Sequence, residues 1–126
     1  MTRLAFSAPQ AVSVGPYSHA VAAGELIYLS GQTPIDPTCS KLAPGGISEQ
    51  TECCFANLFA VLREAGLTPD QVIKVNVYLT DMNDFEAMNA VYARQFDQPY
   101  PARTTIGVAS LPLGARVEIE LIARQD

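Results

Sequence analysis

The chain has 126 residues, of which 48% are hydrophobic and 17% are charged, and its formal net charge is −5. This length and composition predict a single domain over residues 1–126 with its own core. The eight basic residues are scattered along the chain, so the charge pattern argues against binding to a nucleic-acid backbone.

The three cysteines and the single histidine restrict the chemistry further. An odd cysteine count does not describe a disulfide framework, and these residues lack the spacing of a closed zinc site. We therefore expect a reduced, cytoplasmic protein that binds no metal. No signal peptide and no apolar run of membrane-spanning length is visible in the sequence.

Short strands are predicted in the first part of the chain. One lies near residues 4–6, and residues 18–32 have the pattern of a hairpin. Between them, Pro16 restricts the preceding residue to an extended or turn conformation, which places Tyr17 at the mouth of a turn. A loop rich in proline and glycine follows the hairpin.

Two amphipathic helices are predicted next. Ser48 is the expected cap of the first helix and Gly66 its C-terminal stop, and the apolar stripe between them has helical spacing. That stripe consists of Cys54, Phe55, Leu58, Val61, Leu62 and Ala65. Asn83 and Glu86 resemble a capping box at the start of the second helix. Its apolar residues are Phe85, Met88, Tyr92 and Phe96.

Three later strands alternate apolar and polar residues, so each has one apolar and one polar face. In the strand over residues 73–80 the apolar side chains are Ile73, Val75, Val77 and Leu79. The last two strands present Arg103 with Thr105, and Glu118 with Glu120. Because every clear strand is half polar, an α+β fold with both helices on one sheet face is predicted.

The second sheet face is expected to bear Tyr78, Arg103, Thr105 and Glu118. Such a face contacts either water or another subunit, and its bulky aromatic side chains favour assembly. If the last two strands pair as a hairpin, Arg103 and Glu118 lie about five positions, or roughly 15 Å, apart. A site completed across a subunit boundary would bring both groups to one small ligand.

Arg103 and Glu118 each have two interpretations. Arg103 is either an ordinary strand-end cation paired with an acid or a bidentate ligand for a carboxylate. Glu118 and Glu120 are either two solvated carboxylates or include a general base. His19, the single histidine, fits a structural role better than a catalytic one.

A set of segments in this chain is characteristic of one family. They are Gly15-Pro16-Tyr17-Ser18, Ser30-Gly31-Gln32, Val75-Asn76-Val77-Tyr78-Leu79, Asn89-Ala90-Val91-Tyr92, Pro101-Ala102-Arg103 and Val117-Glu118-Ile119-Glu120. On these segments the whole chain resembles the RidA/YjgF family of enamine and imine deaminases, also called L-PSP endoribonucleases.

The resemblance implies a chorismate-mutase-like α+β fold with a mixed sheet, two helices on one face, and a trimeric barrel. It also implies a homotrimer with sites between neighbouring subunits. The expected reaction is the hydrolysis of 2-aminoacrylate and 2-aminocrotonate, through their 2-imino acid tautomers, to 2-keto acids and ammonia. No cofactor is needed for this reaction.

The resemblance also assigns expected roles to individual residues. Arg103 would bind the substrate carboxylate, and Glu118 would position or activate the attacking water. Tyr17, Ser30 and the Gly31 backbone would line the substrate pocket. Thr105 would also contact the substrate, at a position where many members have cysteine, so a thiol nucleophile is missing there.

Two other functions remain open from the sequence. The first is an RNA-cleaving translation inhibitor, against which the acidic charge argues. The second is a trimer that binds small ligands without turnover.

Overall fold

The computed structural model describes residues 2–13 and 15–126, which form a mixed sheet with two helices packed against it. Six of the described strands form one sheet in the order β1-β2-β3-β8-β6-β7, and β4 and β5 form a separate ribbon. The strands are β1 Leu4–Phe6, β2 Ala20–Ala23, β3 Leu26–Gln32, β4 Ile35–Asp36, β5 Lys41–Leu42, β6 Val72–Leu79, β7 Ala102–Gly107 and β8 Val117–Arg124. The helices are α1 Ile47–Glu64 and α2 Phe85–Ala93. The predicted α+β class is confirmed.

The strand order separates the last two strands of the chain. Strand β8 lies between β3 and β6 and is antiparallel to both, whereas β7 lies on the other side of β6 and is parallel to it. The assumed hairpin of the last two strands is therefore wrong. Helix α2 connects β6 to β7 and returns the chain to the starting end of the sheet, which makes the two strands parallel. The hairpin of β2 and β3 is confirmed.

One core fills the space between the helices and the sheet. The apolar stripe of α1 is buried as predicted, with Phe55 and Leu58 fully inaccessible to solvent. The second helix ends at Ala93, earlier than the pattern suggested, yet Phe96 beyond it is still buried against Phe55. Each large apolar side chain buried here contributes about 1.5–3 kcal/mol, so this layer is a major source of stability.

A bulge changes the predicted face of one strand. The pairing of β6 with β8 shifts between Val72 and Lys74, so Val72 is buried and Ile73 is 43% exposed. The prediction that Ile73 faces the core is therefore wrong. An extra residue in one strand inverts the alternation on one side of the bulge, and the sequence period does not reveal it.

The helix caps also differ from the predictions. Gly46, not Ser48, caps α1. The backbone nitrogen of Gly46 donates a hydrogen bond to the Glu49 side chain. Asn83 does not cap α2, because it lies in a short 3₁₀ helix over Met82–Asp84 that precedes α2. Gly66 follows Ala65, the C-cap of α1, and has φ at 77°, so its predicted position as the stop is confirmed.

Candidate functional site

Strand β7 places Arg103 and Thr105 on the helix side of the sheet. In the parallel register, Arg103 is beside Val75 and Thr105 is beside Val77, and both valines are fully buried in the core. The prediction that these two residues share a face with Glu118 is therefore wrong. The face is inverted because β7 is an edge strand whose apolar Ile106, 45% exposed, points to the open side.

Arg103 lies in a cavity of about 530 Å³, the Arg103 pocket, lined by Asn89, Tyr92, Ala93, Tyr100, Pro101 and Arg103. Its Nη1 donates a hydrogen bond of 2.7 Å to Oδ1 of Asn89. The guanidinium carbon lies 4.5 Å from the centre of the Tyr92 ring and 5.5 Å from that of Phe85. Both distances are within the range of a cation–π interaction, so α2 holds the guanidinium from two directions.

Among the described residues, no acidic side chain forms an ion pair with Arg103. Within residues 2–13 and 15–126, the ion pairs are Arg94 with Glu52, Arg116 with Asp84, and Arg124 with Glu25. Arg103 belongs to none of them. A half-buried cation held only by neutral groups favours binding of an anion from outside, and a planar guanidinium suits a carboxylate.

A second pocket lies near the start of β8. This Glu118 pocket has a volume of about 350 Å³ and is lined by Tyr17, Ser30, Gly31, Thr33, Pro112 and Glu118. The Ser30 hydroxyl donates a hydrogen bond of 2.6 Å to the Ser18 carbonyl oxygen. Four residues that the sequence singled out are therefore neighbours here: Tyr17, Ser30, Gly31 and Glu118.

Gly31 allows the Glu118 carboxylate to lie against the backbone of β3. A Cβ atom at position 31 would be 2.8 Å from Oε2 of Glu118 and 3.1 Å from its Cδ. Real Cβ atoms do not approach other atoms so closely. The pairing of β3 with β8 is also irregular between Leu29 and Gln32, around Gly31. The lack of a side chain at Gly31 therefore leaves room for this carboxylate beside the backbone of β3.

The surroundings of Glu118 raise its pKa above the ordinary value. Burial is the larger cause, and the like charge of Glu120 on the same face adds to it. The Glu120 carboxylate accepts hydrogen bonds from the Tyr78 hydroxyl and, at 3.3 Å, from Asn76. The hydrogen bond to Glu120 is the main cause that raises the pKa of Tyr78 to about 12, so the phenol stays protonated at neutral pH.

Two members of the Arg103 pocket were missed as site residues by sequence reasoning. Asn89 was recognised only as part of a family segment, and Tyr92 only there and as an apolar residue of the second helix. A signal was present, because Asn89 is a polar residue between Phe85 and Tyr92 at helical spacing. The hydroxyls of Tyr92 and Thr105 are buried and have no hydrogen-bond partner within the described residues.

His19 and Cys54 have structural positions. The buried His19 ring accepts a hydrogen bond of 3.1 Å at Nδ1 from the Ala8 backbone nitrogen, so it holds the N-terminal segment. Burial raises the pKa of the Cys54 thiol well above its usual value, which keeps this thiol protonated in the core.

The structure was also searched for metal sites and membrane spans. Across residues 2–13 and 15–126, no group of three or more His, Cys, Asp or Glu side chains is arranged to bind a metal ion. In the same part of the chain, neither helix has the length and hydropathy needed to span a membrane.

Comparison with known proteins gives one consistent result. The sequence profile named endoribonuclease L-PSP matches residues 7–125. A goat (Capra hircus) protein named 2-iminobutanoate/2-iminopropanoate deaminase is 43% identical over 98% of this chain and 90% of its own.

Two crystal structures extend this similarity to the fold. RidA from an Antarctic Psychrobacter bacterium is 41% identical, with a TM-score of 0.92 over 97% of this chain and 99% of its own. E. coli TdcF with bound serine is 34% identical, with a TM-score of 0.92 over 98% and 99% of the two chains. The chain therefore belongs to the endoribonuclease L-PSP family, which contains the RidA proteins.

Proposed function

We propose that this protein hydrolyses 2-imino acids, and the enamines that give rise to them, to 2-keto acids and ammonia. The observation that carries the proposal is the Arg103 guanidinium, which is half-buried in a cavity and has no acidic partner among the described residues. A substrate with a carboxylate beside a carbon–nitrogen double bond would be fixed there by its carboxylate. The raised pKa of Glu118 makes its carboxylate a stronger base than an ordinary glutamate, which suits a group that accepts a proton from water.

Addition of one water molecule breaks the carbon–nitrogen π bond of the imine and forms a carbon–oxygen bond. The Glu118 carboxylate takes a proton from this water, and the nitrogen takes a proton from solvent, which gives a carbinolamine. Glu118 then returns its proton to the nitrogen, the carbon–nitrogen bond breaks and ammonia leaves, and the hydroxyl proton passes to solvent as the carbon–oxygen double bond forms. No electrons are gained or lost overall, so positioning and proton transfer are sufficient.

The two pockets require a second copy of the chain. Arg103 is on the helix side of the sheet and Glu118 is on the open side, so one chain does not direct both groups at one small ligand. We infer a homotrimer in which the Arg103 pocket of one subunit meets the Glu118 pocket of its neighbour. Exposed apolar side chains on the open side, including Tyr28 and Ile106, support such an assembly.

The other predicted site residues receive supporting roles in this proposal. Tyr17, Ser30 and the Gly31 backbone line the pocket of the water-activating carboxylate. The buried Thr105 hydroxyl has hydrogen-bonding capacity left on the Arg103 side. A hydroxyl is a much weaker nucleophile than a thiolate, so the proposed reaction proceeds by water attack and not through a covalent intermediate at Thr105.

The names of the relatives support this reaction. The goat protein is named as a deaminase of 2-iminobutanoate and 2-iminopropanoate, which both belong to the proposed substrate class of 2-imino acids. The E. coli relative was crystallised with serine, a small molecule that carries a nitrogen and a carboxylate on one carbon. The cytoplasmic location stays a prediction from the cysteine content.

The test is a coupled assay in which a threonine or serine dehydratase generates 2-aminocrotonate or 2-aminoacrylate. We expect the protein to accelerate release of ammonia and keto acid without added metal. Arg103→Ala should lose nearly all of this acceleration. Arg124→Ala, which removes an exposed paired arginine, is the matched control and should retain it. Failure of the unmodified protein to accelerate release, with a working positive control, would overturn the proposal.

RNA cleavage is the second candidate, because the matching family profile carries the name endoribonuclease. The net charge of −5 and the scattered basic residues argue against it. Ribonuclease activity that persists in Arg103→Ala and falls with added salt would favour it. Tight binding of a 2-keto acid without any turnover would instead favour a non-catalytic binding protein.

A further inference from the structure

One face of α2 surrounds the Arg103 guanidinium. Phe85, Asn89 and Tyr92 are four and three residues apart, so they project from the same side of the helix. The two rings approach the guanidinium carbon, and the amide oxygen between them accepts the hydrogen bond from Nη1. Arg103 itself comes from the edge strand β7, which is paired along its length with β6.

We propose that Asn89 is a positioning residue that holds Arg103 with an uncharged acceptor, so that the full charge of Arg103 remains available to a substrate carboxylate. This inference rests on the proposed function and assigns a role to a residue that does not touch the reacting atoms. The aromatic rings and the amide fix the orientation of the guanidinium. None of them supplies a negative charge.

A second arginine in the same chain shows the alternative arrangement. Arg116 is held by Asp84 through two hydrogen bonds, Nε to Oδ2 at 3.1 Å and Nη2 to Oδ1 at 2.7 Å. A guanidinium paired in this way has its planar edge occupied and its charge balanced. The fold therefore uses a carboxylate where an arginine connects elements. At Arg103, which faces a cavity, it uses an amide.

The geometry also leaves donors for a ligand. A guanidinium has five N–H groups, and only one hydrogen bond from Arg103 to a protein acceptor is present within the described residues. A carboxylate that enters the cavity can therefore accept two hydrogen bonds from the remaining N–H groups. An acid at position 89 would instead form an ion pair with the Arg103 guanidinium and would repel an entering carboxylate.

The exchange of Asn89 for Asp tests charge almost without a change of shape. We would measure equilibrium binding of 2-oxobutanoate, the keto-acid product, by calorimetry, together with kcat and KM in the coupled assay. Asn89→Asp is expected to weaken binding and raise KM by about 100-fold, the equivalent of one charge-assisted hydrogen-bonded pair. The value of kcat should change far less, because water activation lies with Glu118.

Two other variants separate charge from hydrogen bonding. Asn89→Ala removes the acceptor but adds no charge, and we expect about a 10-fold loss of binding, which is smaller than the loss in Asn89→Asp. Asn83→Asp adds the same charge at an exposed position just before α2 and should bind like the unmodified protein. If Asn89→Asp binds as well as or better than Asn89→Ala, the inference is wrong.

Arg103→Ala distinguishes failure of this inference from failure of the proposed function. If Arg103→Ala binds the keto acid normally, Arg103 does not hold the carboxylate and both proposals fail. If Arg103→Ala loses binding while Asn89→Asp keeps it, only the role of Asn89 is overturned. Loss of binding in both variants, with Asn83→Asp intact, supports both proposals.

Discussion

At the scale of single residues, the surroundings of Glu118 determine both the place of its carboxylate and its pKa. The carboxylate lies against Gly31, which has no side chain to displace it, and its negative charge is near Glu120. Burial and a like charge both disfavour the ionised form, so the pKa of Glu118 is raised. The same surroundings that suit a proton-exchanging group should therefore cost stability.

Glu118→Gln tests both consequences. The folded protein binds the Glu118 proton more tightly than the unfolded chain does, so this stabilisation is present below the ordinary pKa of the group and is lost as pH rises through the raised pKa. At neutral pH the glutamine variant should therefore unfold at a higher temperature than the unmodified protein, and the difference should shrink toward pH 4. Thermal unfolding over this pH range measures it.

The same substitution should lower imine hydrolysis by about 100-fold, since it removes the proposed proton acceptor. In the unmodified protein, activity should fall as the pH falls through the raised pKa of Glu118. Glu25→Gln, at an exposed ion pair, is the control and should change neither property. A glutamine variant with unchanged activity would contradict the role given to Glu118.

At the scale of elements, Arg116 joins four parts of the fold just before Glu118. Its side chain pairs with Asp84 at the start of α2, and its backbone nitrogen donates to Gln50 of α1 at 2.9 Å. Its carbonyl oxygen accepts from the Thr80 nitrogen at the end of β6. The start of β8 is therefore anchored to both helices and to β6.

Asp84→Ala should destabilise the protein by about 2 kcal/mol, because it leaves a partly buried guanidinium without its bidentate partner. Glu52→Ala removes the acid of an exposed pair, whose side chains are 54% and 60% exposed, and should cost less than about 1 kcal/mol. Urea unfolding of both variants measures the difference. Equal losses would show that the Arg116 anchor contributes no more than a surface ion pair.

Element patterns and the local hairpin of β2 and β3 were predictable from the sequence, whereas the pairing of strands distant in the chain was not. Alternation identified the β6 and β8 strands, and helical spacing identified the buried face of α1. The bulge at Ile73 and the separation of β7 from β8 are set by pairing between distant segments, so they leave no local signal. For that reason the residue types of the site were predicted, while the side of the sheet on which Arg103 lies was not.

At the scale of the whole molecule, Arg103 and Glu118 occupy opposite faces of one sheet. This arrangement makes the subunit composition of the proposed site testable. An interface that combines Arg103 of one subunit with Glu118 of the next needs each residue only once. Two inactive variants can therefore complement each other within a mixed assembly.

We expect Arg103→Ala and Glu118→Gln, co-expressed in equal amounts, to recover up to about 25% of the unmodified activity, since one in four randomly formed interfaces has both residues intact. Activity of the mixed sample and its mass by light scattering measure this. The double variant Arg103→Ala/Glu118→Gln, co-expressed in an equal amount with either single variant, should stay inactive. No recovery in a mixed assembly of confirmed composition would place both residues in one chain.

The division of the site between two sheet faces has a kinetic consequence. In the proposed assembly, a chain separated from its neighbours has half of each site and no complete one, so we expect turnover per chain to fall when the protein is diluted below its assembly constant. A high concentration of substrate cannot compensate for this, because the missing component is protein. Total activity would then depend on the local concentration of the protein. It would increase more steeply than in proportion to that concentration.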